Sequence, residues 1–345
     1  MGLLDVTKTV LARATGLWTR LATPLAAVAS AIVLGSCSGP QSALSPKGHG
    51  AKVIAGLWWL IFWIATAVFI IVVGFLAVAV VRGRRIHDQR VDKREVRWGD
   101  GFIVVSGVVL PAIILTMVFV VSLADLRSTS GAAARPTIEI VGHDWWWEAR
   151  YSNGAVTANE IHIPAGQEVR LRLMTADVIH SFWVPQLQAK TDEITGRVNS
   201  MLLEADRPGR YRGQCAEFCG LQHANMGLYV IAQPPSAFRS WLSREARPAA
   251  RPAGRARAGQ KVFLTNTCAG CHAIAGTPAR ARVGPDLTHV AARRTLLAAT
   301  IPNTRANLAK LITAPQSIKP GIVMPPTELA PSQLKALVDY LDQLK

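Results

Sequence analysis

The chain has 345 residues, 50% of them hydrophobic, and 38 Lys and Arg against 22 Asp and Glu give a formal net charge of +16. That length predicts two or three domains. A strongly basic balance raises nucleic acid as a partner, but the basic residues cluster at the flanks of apolar runs and in one linker, which argues for no nucleic acid. Five cysteines is an odd number, so at least one lies outside any intramolecular pair.

Residues 1–36 read as a signal segment, in which Lys8, Arg13 and Arg20 precede a mostly apolar run from Leu21 to Leu34. The end of that run, Leu34-Gly35-Ser36-Cys37, resembles a bacterial lipoprotein processing site, which would make Cys37 a lipidated first residue. A Gly/Ser/Pro-rich spacer covers 37–52. Residues 53–126 then predict a transmembrane hairpin: Val53–Val81 and Phe102–Ala124 are uncharged and apolar, each long enough to span with roughly 20 residues. Pro111 is tolerable inside the second run. The loop 82–101 between them carries Arg82, Arg84, Arg85, Arg90, Lys93, Arg94 and Arg97, and positive-inside reasoning places it in the cytoplasm. An export signal demands the same topology, with both termini and both later domains on the outer face of a bacterial cell membrane. Neither run contains His, Asp, Glu, Lys or Arg. Chemistry at an intramembrane metal needs such residues, so the two spans hold no metal site of their own.

Residues 130–238 change to short alternating segments. Thr137–Val141, Glu160–Ile163, Glu168–Met174, Val198–Glu204 and Gly227–Ala232 predict strands, with turns at Pro164-Ala165-Gly166 and Pro208-Gly209. This spacing predicts an all-β sandwich or barrel. Trp145-Trp146-Trp147 in a short strand alternate faces, so one or two of them are core. His143 and His162 read as ordinary hydrogen-bonded histidines. Cys215 to Met226 packs Cys215, Glu217, Cys219, His223 and Met226 into twelve residues, and His180 supplies a further imidazole. Soft sulfur with imidazole selects copper, zinc or iron–sulfur. Structural zinc would need four Cys or His ligands, and a blue-copper site would need one Cys, two His and a weak Met. Two thiolates can instead bridge two coppers, with one His for each metal and Met226 as a weak outer ligand. A Cys215–Cys219 disulfide is the chemically inert alternative.

Residues 239–258, rich in Pro, Ala and Arg, predict a semi-extended tether. Residues 259–345 form a small helical domain carrying Cys268-Ala269-Gly270-Cys271-His272, the pattern of covalent c-type heme attachment, with Cys268 and Cys271 as thioethers and His272 on the iron. Met324, in a stiff Val-Met-Pro-Pro stretch, is preferred over His289 as the sixth ligand, and Met/His ligation raises the potential.

Cys215–Met226 resembles the binuclear copper (CuA) loop of the cytochrome c oxidase subunit II family. The resemblance covers about residues 50–235. It implies a cupredoxin-like all-β barrel, with His180, Cys215, Cys219, His223 and Met226 as side-chain ligands. Glu217 would ligate through its carbonyl and also reach a Mg or Mn shared with subunit I. Gly142-His143-Asp144-Trp145-Trp146-Trp147 is similar to the family's Gly-His-Gln-Trp-Tyr-Trp, departing at Asp144 and Trp146, and makes Trp145 the point where electrons enter. Lys190–Arg197 resembles a segment near subunit I, with Thr195 in place of Pro. An acidic residue at the start of the second helix, Glu95 or Asp100, would admit protons. The C-terminal domain resembles a class I cytochrome c, all-α, with a final helix at Pro331–Leu344.

The expected arrangement is therefore a multidomain membrane protein similar to subunit II of a caa-type oxidase with a fused cytochrome c. Its expected partners are subunits I and III, membrane lipid, and a cytochrome c or bc-type complex as donor. The tether would let the heme domain swing onto the surface near Trp145. The alternatives are the small subunit of a CuA-containing nitric oxide reductase and a membrane-tethered redox or copper-delivery protein.

Overall fold

The computed structural model describes residues 39–83, 93–129 and 137–345, the side chains of 83, 93–98 and 127–129 excepted. The signal segment, Cys37, most of the basic loop and the side chain of Glu95 lie outside the described residues.

Helix α1 (His49–Gly83) pairs with a second long span built from α2 (Lys93–Val104), a π-helical turn at Val105–Val109 and α3 (Leu110–Thr129). The π turn has a local cause. Pro111 lacks an N–H and its ring crowds the carbonyl of Gly107, so the ladder widens just before it. His49–Arg82 and Gly99–Leu126 have window hydropathies of 3.0 and 2.7, and neither window is buried in the protein. Their hydroxyls are satisfied within the helix: Thr66, Ser106, Thr116 and Ser122 each donate to the carbonyl four residues earlier. That is the requirement of an apolar solvent. Asp100 is exposed. The helix starts earlier than the predicted spacer allows, because residues 47–52 grip the next domain. Lys47 N donates to Gln186 O, Ala51 N donates to Leu187 O, and Lys52 pairs with Asp206 at 2.8 Å.

The next unit is a sandwich of two five-stranded sheets. The first runs β3 (Val156–Ala158), β2 (Trp146–Tyr151), β1 (Thr137–His143), β5 (Val169–Thr175), β8 (Asn199–Leu203). The second runs β4 (Glu160–Pro164), β10 (Gly227–Gln233), β9 (Gly209–Cys215), β6 (His180–Trp183), β7 (Thr191–Glu193). Only β1–β5 and β4–β10 pair in parallel. Every predicted strand is present within a residue or two of its expected limits. Strands β3, β6, β7 and β9 are additional to those expected: the first three are very short, and β9 is built largely from Gly, Arg and Gln, which carry little strand signal. Of the three tryptophans, Trp147 is fully buried and meets Phe182 edge-on at 5.6 Å, Trp146 stacks on His143, and Trp145 sits in the turn before β2.

The predicted tether 239–258 differs from the structure. Helix α4 (Pro235–Glu245) occupies its start, through residue 245, and α5 (Arg255–Thr265) its last four residues. Phe238 and Trp241, three apart on α4, bury against the sandwich, with Trp241 stacked on His162 at 3.9 Å. Arg/Pro/Ala composition hides that apolar pair. Only 246–254 is irregular, and it lies on the last domain, with Ala249 N donating to Ala275 O. In that domain α5 crosses α7 (Pro331–Leu341), where Gly259 leaves room for the carbonyl of Ala336, and α6 (Arg305–Thr313) packs beside them. A second apolar core forms here, built from residues of 256–344 only.

Candidate metal centre and heme pocket

β6 and β9 pair through Phe182 and Cys215, so His180 at the start of β6 reaches the thiol at the end of β9. The loop after β9 folds back through a short 3-10 turn at His223–Asn225 before β10. Four sulfur and imidazole contacts follow. Cys215 Sγ lies 4.0 Å from His180 Nδ1 and 3.8 Å from Cys219 Sγ, and Cys219 Sγ lies 3.6 Å from His223 Nδ1 and 3.8 Å from Met226 Sδ. The carbonyl of Glu217 is 3.2 Å from Cys215 Sγ, while its carboxylate points outward, 3.7 Å from Lys190 Nζ. All six sequence candidates therefore converge on one point.

The donor set fits a pair of soft cations. Two sulfurs 3.8 Å apart are far beyond the ~2.05 Å of a disulfide. Hydrogen bonds from Cys219 and His180 hold the Cys215 thiol well below its ordinary range, and that charge pushes Cys219 up. Both become thiolates only with positive charge between them. His180 is oriented by a residue that sequence reasoning missed: its Nε2 donates to Asp177 Oδ1 at 2.8 Å, turning Nδ1 to the sulfurs. The signal was an acidic residue three positions ahead of a candidate ligand. Val178, Ile179 and Phe218 expose apolar surface beside the cluster.

The second site is a cavity of about 220 Å³ lined by Cys268, Cys271, His272 and Met324 among apolar side chains such as Phe263, Leu308 and Leu337. A 3-10 turn at Thr267–Gly270 carries the thiols to its edge, with His272 N bonded to Cys268 O. His272 Nδ1 donates to Pro285 O at 2.8 Å, which leaves Nε2 free as a ligand, and burial holds the ring neutral. A Cβ on Gly284 would collide with that ring. These features fit a covalent heme. His289 is directed elsewhere, 3.1 Å from the carbonyl of Arg247.

The two sites meet at Trp145. Its indole Nε1 donates to Cys219 O at 2.7 Å, and the same residue lines the cavity that holds Cys268, Cys271 and His272.

Residues 154–233 match the family described as cytochrome c oxidase subunit II, periplasmic domain, and residues 256–345 match the cytochrome c family. A cytochrome c oxidase subunit 2 from Alkalihalophilus pseudofirmus is 33% identical over 326 residues, covering 91% of this chain and 94% of the relative. The chain belongs to the cytochrome c oxidase subunit II family. A Bacillus subtilis subunit 2 is 29% identical over 344 residues, covering 91% of this chain and 95% of the relative. The periplasmic domain of subunit II from Bradyrhizobium japonicum superposes with a TM-score of 0.32 at 30% identity, covering 33% of this chain and 95% of that one. This subunit II is part of a cytochrome c oxidase, an oxidoreductase, and works with other subunits of that complex. Its cytochrome c domain implies heme c, its subunit II domain implies a copper centre, and its two apolar helices are long and apolar enough to cross a membrane.

Proposed function

We propose that this subunit II carries electrons from heme c to a CuA centre and on to the heme-copper site of subunit I, where oxygen is reduced to water. The observation that carries this reading is Trp145, shared between the heme cavity and the carbonyl of Cys219. His180, Cys215, Cys219, His223 and Met226 would hold the coppers by side chain and Glu217 by its carbonyl. Cys268, Cys271, His272 and Met324 would hold the heme. When bound, the two groups supply one-electron redox chemistry, with no bond made or broken along the route.

The protein's part is positional. The rigid sandwich fixes ligands from two strands and one loop, so little rearrangement accompanies a change of charge. Burial excludes water from the sulfurs. Trp145 bridges by an aromatic ring and one hydrogen bond. The outward carboxylate of Glu217 would reach a Mg or Mn shared with subunit I, and the exposed Val178, Ile179 and Phe218 would offer that subunit apolar contact. The basic loop supports an orientation with both redox domains outside. That both relatives above carry the oxidase name favours oxygen over nitric oxide as the acceptor.

The test is the purified complex, with oxygen consumption and heme c oxidation measured together. Trp145→Phe should keep both spectra and slow heme c oxidation at least tenfold. Unchanged heme c oxidation in that variant would reject the route.

A further inference from the structure

The two redox domains are joined by more than the chain. Glu160, on β4 of the sandwich, is 4% exposed, and its Oε1 accepts from Arg294 N at 2.9 Å, Thr295 N at 3.2 Å and the Thr295 hydroxyl at 3.3 Å. Lys319, in the heme domain, is 1% exposed, and its Nζ donates to Asn225 O at 2.8 Å, Trp145 O at 2.9 Å and Leu297 O at 3.3 Å. Each domain thus inserts one ionisable side chain against polar groups of the other, with Lys319 keeping one further bond to Leu297 of its own domain. Neither charge has an ion-pair partner among the salt bridges of the described residues.

Such an arrangement selects a register. Free in water both side chains are well solvated, so their burial adds little net affinity. In any shifted docking each would be buried without its partners, which is strongly disfavoured. Three further bonds agree with one register: Gln222 Nε2 donates to Pro320 O at 2.7 Å, Gly227 N to Ala298 O at 3.1 Å, and the Thr300 hydroxyl to Asn225 O at 3.5 Å. The carbonyls of Leu297 and Ala298 come from a turn in which Leu297, Ala298 and Ala299 have φ of 55°, 57° and 62°. Side-chain-bearing residues disfavour that region, and a strained run persists where surrounding contacts over-determine it. This docked arrangement differs from the free swing expected of residues 239–258.

We propose that Lys319 and Glu160 are positioning residues that hold the heme domain in one standing register, with Trp145 at the rim of its cavity. This rests on the heme-to-copper reading above. Electron transfer between the centres then occurs inside a preformed assembly, with no docking search before each electron.

The experiment uses the purified complex with both centres loaded. Heme c is reduced by a light pulse and its reoxidation by copper is followed in buffers of rising viscosity. The wild-type rate should be independent of viscosity. Lys319→Met and Glu160→Gln should leave the heme absorption and the copper paramagnetic signal unchanged. Each should slow transfer at least tenfold and make the rate fall as viscosity rises. A wild-type rate that itself falls with viscosity would overturn the latch, whether or not either variant folds. Variants that keep both spectra and transfer at the wild-type rate would also overturn it. Complete absence of heme-to-copper transfer in the wild type would remove the functional reading and the latch together, a result distinct from transfer limited by viscosity.

Discussion

Asp177 decides which face His180 shows the sulfurs. Its carboxylate sits 2.8 Å from Nε2, is held below the usual carboxylate range by the His180 and Asp144 hydrogen bonds against the cost of burial, and so stays ionised. Removing it lets the ring turn and adopt the other tautomer. Asp177→Ala is therefore expected to weaken copper binding by roughly 10–100-fold, as other lost supports of a ligating His do. Copper titration of the variant, read by the paramagnetic signal, checks this. At the second site, Met324 lines the cavity with a single thioether. Met324→Ala should leave the heme attached through Cys268 and Cys271 but lower its reduction potential, since Met/His ligation is the higher-potential arrangement. A redox titration of the full chain measures it, and an unchanged potential would remove Met324 from the iron.

At the scale of elements, helix α4 is fastened by aromatic stacking. Trp241 lies parallel to His162 and contacts Tyr151 and Phe238, while His162 Nδ1 is 3.1 Å from Gln233 Oε1. Burial pushes the His162 imidazole down to about 4, with the Gln233 bond a smaller opposing effect. The folded protein therefore binds fewer protons here than the unfolded chain, whose His titrates near 6.5. This contribution to stability is complete above pH ~6.5 and is lost as pH falls toward 4. On the order of 1–3 kcal/mol is at stake. Melting temperature should drop between pH 7 and 4.5, and His162→Gln should flatten that limb. A parallel drop in the variant would assign the effect to other groups.

At the scale of the whole molecule, the two redox domains have separate cores, one drawn from residues 138–241 and the other from 256–344. Each can hold its own fold, and what joins them is the polar seam around Lys319 and Glu160. Truncation at Pro248 should accordingly keep the copper centre's signal, while turnover with the native donor falls. Residual turnover with added soluble cytochrome c should depend strongly on cytochrome concentration and on salt, because screening weakens steering between exposed charges. Oxygen consumption across a salt series measures both. Native-donor turnover equal to the full chain would mean that electrons enter at the copper domain directly.

What the amino-acid sequence determined by itself is what lies close together along the chain. Cys215, Cys219, His223 and Met226 fall within one loop, Cys268, Cys271 and His272 within five residues, and hydropathy sums over neighbours, so both clusters of candidate ligands and both spans are legible from spacing, while the reading of the first cluster as CuA comes from the family resemblance. Tertiary structure decided whatever depends on groups far apart in sequence. Trp145 meets Cys219 across 74 positions and Lys319 meets Trp145 across 174. Neither Lys319 nor Glu160 carries a local signal, since a buried charge looks like a surface one until its partners are in place. The tether read as extended because Arg, Pro and Ala dominate its composition, while the burial that makes α4 a helix is supplied by His162 and Tyr151 of the sandwich. Ligand chemistry is local and domain docking is not, which is why the centres could be read from the chain and the latch between them only from the fold.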